Sequence, residues 1–351
     1  MSAKKKVLAG TVRIKAKELQ PYEKTAASWK KSKKLFPEAM QVARLFKEHK
    51  NFKVLIDTKN PEFLKGQLSP KGEAQGARIN QLPNGKIIDK AFSLFAKDLT
   101  IHDQYSDDHW DVLFKNKGGT YAYCYTLEKK EQNRNQKFKK VWEFDKIYRK
   151  LSKAVSLALK DAGDGLALPM YTLLKTRMRI GNEIYYRTNG HKGLTTLKKR
   201  DITINGEKVK FEYIGKDGVP YREEQKFSRT YVRRLHKQLQ LLKPNDFVFS
   251  SKNGKPLRDE QFKKAFKRYC GKEFYPHIIR SHHATRRVKE FLKRKRTISK
   301  EEMKTLFFSL AADLGHKRFE KKGGTWEDNY TVTLNHYVEP ALVERVKAKV
   351  S

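Results

Sequence analysis

The chain has 351 residues, long enough for two domains, and its 38% apolar share, with 20 Phe, 16 Tyr and 4 Trp, can fill ordinary cores. Seventy-eight Lys and Arg stand against 39 Asp and Glu, a net charge of +39 that repels itself unless a polyanion is bound. That excludes an ordinary metabolic enzyme and points to nucleic acid, where each neutralised phosphate adds affinity.

Cys124 and Cys270 are far apart, with no CxxC or Cys/His spacing. Neither a disulfide framework nor a zinc site is expected, and a reducing, intracellular compartment fits. No stretch approaches the roughly 18–20 apolar residues of a membrane span, and residues 1–10 lack the apolar core of a secretory signal. No membrane contact is expected.

Residues 1–50 carry fourteen Lys and Arg against four Glu, clustered at Lys4-Lys5-Lys6 and Lys30-Lys31-Ser32-Lys33-Lys34. Residues 1–85 therefore read as a basic N-terminal extension, partly disordered or helical. Within it, Met40, Val42, Ala43 and Phe46 suit one amphipathic helix over 38–46. Pro61, Gly66, Pro70, Gly72, Gly76, Pro83 and Gly85 then punctuate a loop. Residues 86–145 read as a β-rich DNA-clamping domain, with strands over 110–114 and 121–127 around a turn at Asn116-Lys117-Gly118-Gly119. The basic run 128–140 that follows is expected to form a sheet edge presenting Arg134, Lys137 and Lys139 to phosphates.

From 146 to 351 the pattern is that of a mostly α-helical domain carrying one small sheet. Ile147, Leu151 and Val155, then Leu166, Leu168 and Leu173, suit helices broken at Asp161-Ala162-Gly163. Strands over 201–204 and 208–214 flank Asn205-Gly206, a strong hairpin signal, and a third strand follows the turn Lys216-Asp217-Gly218. Helices are expected over 231–242, 259–269, 281–295 and 300–314. The fold class is α+β: a small antiparallel β-rich domain followed by a helical domain with a three-stranded sheet.

Cleaving a phosphodiester with a protein nucleophile adds negative charge to the non-bridging oxygens and requires protonation of the leaving oxygen, so fixed cations and an acid must converge on one phosphate. Arg suits the first role and Lys or His the second. Among so many cations no single one is informative; order and context are. Arg179 follows an apolar helix, Lys216 sits on a sheet turn after Gly193-Leu194-Thr195-Thr196-Leu197, and Arg280 precedes a basic helix. His316 ends another helix after Gly315, and Tyr337 lies in Leu334-Asn335-His336-Tyr337-Val338-Glu339-Pro340.

In these motifs, from about residue 108 to 348, the chain resembles the type IB DNA topoisomerases, specifically the small poxvirus and bacterial branch. Arg179 in R-x-G, Lys216 in G-K-D, Arg280 before A-T-R, His316 in L-G-H and Tyr337 in N-H-Y-V-E-P match that family's catalytic positions; NRNQKF is similar to its basic DNA-clamping element. The resemblance implies the tyrosine recombinase/topoisomerase IB catalytic fold and a monomer clamping duplex DNA. Tyr337 would attack the scissile phosphate to give a 3′-phosphotyrosyl bond, with Arg179, Arg280 and His316 stabilising charge and Lys216 as general acid. It implies no cofactor, no metal and no ATP, and relaxation of supercoils of either sign.

Tyr185 is a further candidate phosphate contact, as are His277 and the basic helix side containing Arg286 and Arg287. His282 and His283 read as packing residues. Three departures from the family stand out. His277 precedes Arg280 as His-x-x-Arg, the tyrosine recombinase pattern, so a site-specific recombinase is the alternative, beside a catalytically silent DNA-binding protein. The interval from His316 to Tyr337 is 21 residues, with an insert over 318–329, and residues 1–105 exceed the poxvirus pattern. Lys-rich composition with this layout suggests a large DNA virus, acting in a virion or cytoplasmic factory, or otherwise a bacterial nucleoid.

Overall fold

The protein is described as a computed structural model over residues 7–76, 78–102, 110–116, 119–320 and 323–351. Lys4-Lys5-Lys6 and two residues of the expected turn, Lys117 and Gly118, lie outside the described residues. The chain divides into two compact units, Met1–Gln136 and Lys137–Ser351.

The first unit corrects the expected extension. Strands β1 (Val12–Ile14), β2 (Pro21–Lys24) and β3 (Trp29–Lys31) precede helix α1 (Pro37–Glu48), and β4 (Gln67–Leu68) and β5 (Ala74–Gln75) complete an antiparallel sheet of order β3-β2-β1-β4-β5. Val12 and Ile14 are fully buried, as are Ala43 and Phe46 of α1. A basic surface thus covers an apolar interior, and the short Pro- and Gly-bounded strands are what read as loop. Next come β6 (Ile79–Gln81) and β7 (Ile87–Phe92), and then β8 (Lys97–Ile101), β9 (Val112–Lys115) and β10 (Tyr121–Cys124) as a second sheet of order β10-β9-β8. Phe92, Val112 and Cys124 join one core with Ile14 and Phe46.

Residues 128–140 are not a sheet edge. They lie in helix α2 (Leu127–Ala158), which also runs through residue 145, the expected boundary. The run is rich in Glu, Lys, Gln and Arg, straight-chain residues that lose little freedom in a helix. Phe138, Val141, Phe144, Leu151 and Val155 supply its buried stripe at i, i+3 and i+4 spacing.

In the second unit α3 (Ala167–Thr176) and α4 (Glu183–Asn189) lead into an antiparallel sheet, β11 (Ile202–Asn205), β12 (Lys208–Ile214) and β13 (Pro220–Lys226), in sequence order. The Asn205-Gly206 turn sets the register Asn205↔Lys208 and Ile202↔Phe211. Helices α5 (Arg229–Gln240), α6 (Asp259–Cys270), α7 (Ile278–Arg294) and α8 (Lys300–Asp313) follow close to the expected positions. The insert forms an antiparallel ribbon, β14 (Lys317–Glu320) and β15 (Thr325–Asp328), and α9 (Thr331–His336) and α10 (Pro340–Ala348) close the chain. One core joins Phe144, Leu173, Phe211, Tyr231 and Phe266; another joins Val288, Phe307, Leu310, Tyr337, Val338 and Val346.

Candidate active site

Arg179 is held through its backbone. Helix α3 ends at Arg177, which adopts left-handed φ of 56°, and the next residues run beside the Gly193-Leu194-Thr195 segment. Leu194 N donates to Arg179 O at 2.8 Å and Thr195 N to Ile180 O at 2.7 Å. Approach this close needs glycine: a Cβ on Gly193 would lie 2.5 Å from Gly181 N and 2.6 Å from Arg179 O. The G-L-T-T motif is therefore a backbone clasp for the arginine.

Lys216 projects from the tight turn joining β12 to β13, closed by Gly215 N donating to Val219 O at 2.7 Å. Asp217 takes left-handed φ of 64°. Nearby, the Lys192 ammonium donates to both oxygens of Asp201, at 2.7 and 2.8 Å, tying the clasp to the start of the sheet.

His316 is delivered by a helix ending. Ser299 and Glu302 form a reciprocal N-terminal cap on α8. At the other end Gly315 (φ 61°) donates from its N–H to Ala312 O, and His316 N donates to Ala311 O, both at 2.9 Å, the pairing of a Schellman motif. The L-G-H signature is this motif, and a Cβ at Gly315 would press within 3.0 Å of Tyr221 Cδ2.

Arg280 lies in the first turn of α7 and is 2% exposed. Its Nη1 donates to Arg177 O at 2.7 Å; its Nη2 donates to Leu314 O at 2.8 Å and to His316 Nε2 at 3.0 Å. Tyr337, 4% exposed, packs beside both: its ring centre is 5.1 Å from the guanidinium carbon of Arg280 and 4.9 Å from the His316 ring. Thr285 Oγ1 donates to Tyr337 O at 3.2 Å, and Tyr337 N donates to Thr333 O at 2.9 Å. A cavity of about 110 Å³ next to this cluster is lined by Arg179, Lys216, Arg280 and His316, with Lys192 and Lys317. Four of the five residues matched in the sequence thus share one cavity wall, and the fifth packs against two of them.

Burial pushes the Arg280 guanidinium down to about 10, opposed by the neighbouring Tyr337, so it stays charged. The His316 imidazole is pushed down to about 3, first by burial and then by Arg280 and Arg179, and is neutral at physiological pH. His277 is shifted the same way, by desolvation and then by Arg280, Arg179, Lys137 and Lys216. Its ring lies 5.2 Å from that of Tyr337.

The other expected contacts are dispersed. Lys137 is not on a sheet edge: its ammonium donates to His336 O and lies 5.4 Å from the Tyr337 ring centre, and burial lowers it to about 8. Arg134 and Lys139 are exposed on α2, and Tyr185 is exposed on α4. Arg286 is engaged by Glu290 at 2.8 Å and Arg287 by Asp313 at 3.2 Å. His282 and His283 bond Asp145 and Asp313, each at 2.8 Å. Thr333, Thr285 and Lys192 were not singled out from sequence, where nothing distinguishes them from any other Thr or Lys. Among the described residues no group of three or more His, Cys, Asp or Glu could hold a metal ion.

The fold is mixed α+β, with the cationic cavity in its mostly helical second unit. Residues 126–328 match the model of the eukaryotic DNA topoisomerase I catalytic core. That span exceeds half of the chain, and the chain belongs to this family. The span holds Arg179, Lys216, Arg280 and His316 and ends before Tyr337. Among solved structures the chain is similar to XerH site-specific recombinase bound to palindromic difH substrate in a post-cleavage complex, at 17% identity, and bound to difH in a pre-cleavage complex, at 16%. The TM-score is 0.33 in both, over 48% of this chain and 44% of the recombinase chain. The chain thus matches less than half the length of those recombinases. No curated protein matches it.

Proposed function

We propose that the protein is a type IB DNA topoisomerase of the poxvirus and bacterial kind, acting as a monomer on duplex DNA. The observation that carries this reading is the convergence of Arg280 and His316 on Tyr337 beside a cavity lined by Arg179 and Lys216. In the proposed reaction the Tyr337 phenol gives up its proton to water as its oxygen bonds to phosphorus. The bond from phosphorus to the 5′-oxygen breaks, and Lys216 protonates the departing oxygen. Arg179 and Arg280 bind the non-bridging oxygens, on which charge grows in the transition state, and His316 adds a hydrogen bond.

The 3′-phosphotyrosyl bond retains the energy of the phosphodiester. The free end can therefore rotate and be resealed by the reverse steps, with no ATP and no divalent ion. Relaxation of supercoiled plasmid with EDTA present and ATP absent, run beside Tyr337→Phe, tests this. Relaxation by the wild type alone supports the reading. Binding without relaxation by both proteins removes it. The His277 ring beside Tyr337 favours a second reading, strand exchange between paired sites, which a two-site recombination assay would detect.

A further inference from the structure

Thr333 lies in α9, one turn before the candidate nucleophile, and is 0% exposed. Its carbonyl accepts from Tyr337 N at 2.9 Å and Val338 N at 3.3 Å. Its hydroxyl lies 2.7 Å from His316 Nδ1. One buried residue thus joins the histidine, through its side chain, to the turn that carries the tyrosine, through its backbone.

The bonds around His316 fix its tautomer. A guanidinium has only donors, so at 3.0 Å from Arg280 Nη2 the imidazole Nε2 accepts and carries no proton. The ring is neutral, since burial and the surrounding cations, Arg280 and Arg179 first among them, hold its pKa at about 3. Its single proton is therefore on Nδ1 and is donated to Thr333 Oγ1. This is the wrong tautomer for the proposed reaction, which needs a proton on Nε2 to donate to a phosphate oxygen. A carboxylate or carbonyl at Nδ1 would hold the proton there, and only an imidazolium could then serve. A hydroxyl accepts and donates equally well.

We propose that Thr333 is a positioning residue that lets His316 exchange tautomers when DNA enters. In the free protein its hydroxyl accepts from Nδ1–H. When a phosphate oxygen takes the place of Nε2 as acceptor for Arg280, the hydroxyl turns and donates to Nδ1, and Nε2–H points at the phosphate. One proton leaves Nδ1 for water and one is taken from water at Nε2, so the ring stays neutral and no other covalent bond breaks. The Val338 and Tyr337 amides bonded to the Thr333 carbonyl keep the hydroxyl in place while it rotates.

The inference rests on the topoisomerase reading, and the test separates the two. Full-length Tyr337→Phe, labelled with ¹⁵N histidine, is examined by NMR free and bound to a duplex it cannot cleave, with His316→Asn in the same background identifying the His316 signals. The expected result is protonated Nδ1 and bare Nε2 in the free protein, reversed in the complex. In the wild-type background Thr333→Val should slow single-turnover cleavage by about a hundredfold, toward the roughly 10²–10³ that loss of one donor to the developing charge costs, and Thr333→Ser should restore it. A proton that stays on Nδ1 in the complex, or protons on both nitrogens, overturns the proposal, as does a Thr333→Val variant that cleaves at the wild-type rate. Failure of the topoisomerase reading shows differently, as absence of any Tyr337-linked DNA adduct in the wild type.

Discussion

Gly193→Ala tests whether the backbone clasp positions Arg179. The added Cβ would meet only backbone, with Gly181 N at 2.5 Å, Arg179 O at 2.6 Å and Gly181 Cα at 2.6 Å. No side chain can swing aside. Ordinary contact requires roughly 3.5 Å, so the two segments must separate by about 1 Å. The bonds from Leu194 N to Arg179 O and from Thr195 N to Ile180 O lengthen by a similar amount, and the guanidinium moves with its backbone. Overpacking of this kind costs about 1–3 kcal/mol, which lowers the melting temperature by about 2–4 °C per kcal/mol for a unit of this size. A 1 Å misplacement at a reacting centre costs about a hundredfold in rate.

The assay is single-turnover cleavage of a labelled duplex, measured with DNA affinity and thermal unfolding on the same sample. Affinity should hardly change, because a net charge of +39 spreads the binding energy over many phosphates. Cleavage should fall about a hundredfold, and pairing Gly193→Ala with Arg179→Ala should add little, since both act through one guanidinium. A Gly193→Ala protein that melts and cleaves like the wild type would refute the clasp.

Two other outcomes are expected. Lys216→Ala should slow cleavage by about 10²–10⁴-fold on ordinary DNA, yet cleave nearly at the wild-type rate when the leaving 5′-oxygen is replaced by sulfur, whose thiolate departs without an acid; equal slowing on both substrates would remove Lys216 from the role. His316 is held at about 3 against its usual 6.5, so the unfolded chain binds more protons between those values, and stability present above pH 6.5 is lost as pH falls toward 3. Thermal unfolding between pH 7 and 4 should therefore show a smaller loss for His316→Asn than for the wild type, and identical slopes would refute the assignment.

Arg179, Lys216 and His316 were legible as candidates because each sits in a local signature with its own backbone function. Gly193 permits close approach, Asp217 and Gly218 shape a turn, and Gly315 ends a helix. Glycines and turns constrain a few neighbours in sequence, so they can be read from one chain. The sheet order of the second unit was visible for the same reason, through Asn205-Gly206. The five-stranded sheet of the first unit was not: β4 and β5 are two residues long, too short to show alternation, and their pairing with β1 depends on contacts distant in sequence. Helix α2 reads as non-helical because residues 128–137 carry no apolar residue, so its stripe begins at Phe138. Lys137 was legible only as a phosphate contact and Thr333 not at all, since only the folded chain puts that ammonium beside Tyr337 and that hydroxyl beside His316.

The ribbon between His316 and Tyr337 changes what their separation means. Its strands pair Lys317 with Asp328 at the base, and Asn329 N donates back to His316 O at 3.5 Å, so the chain leaves the histidine and returns to it. Along the backbone the interval is 21 residues; through space the insert begins and ends at one point. Its length is then almost free to drift, because a longer loop closed on the same stem costs only about 0.6 kcal/mol per doubling. Spacing between these two residues is a poor yardstick of kinship, although Lys317 at the base of the ribbon lines the cavity and Trp326 lies near Gly218 of the Lys216 turn, so the ribbon's stem still belongs to the site.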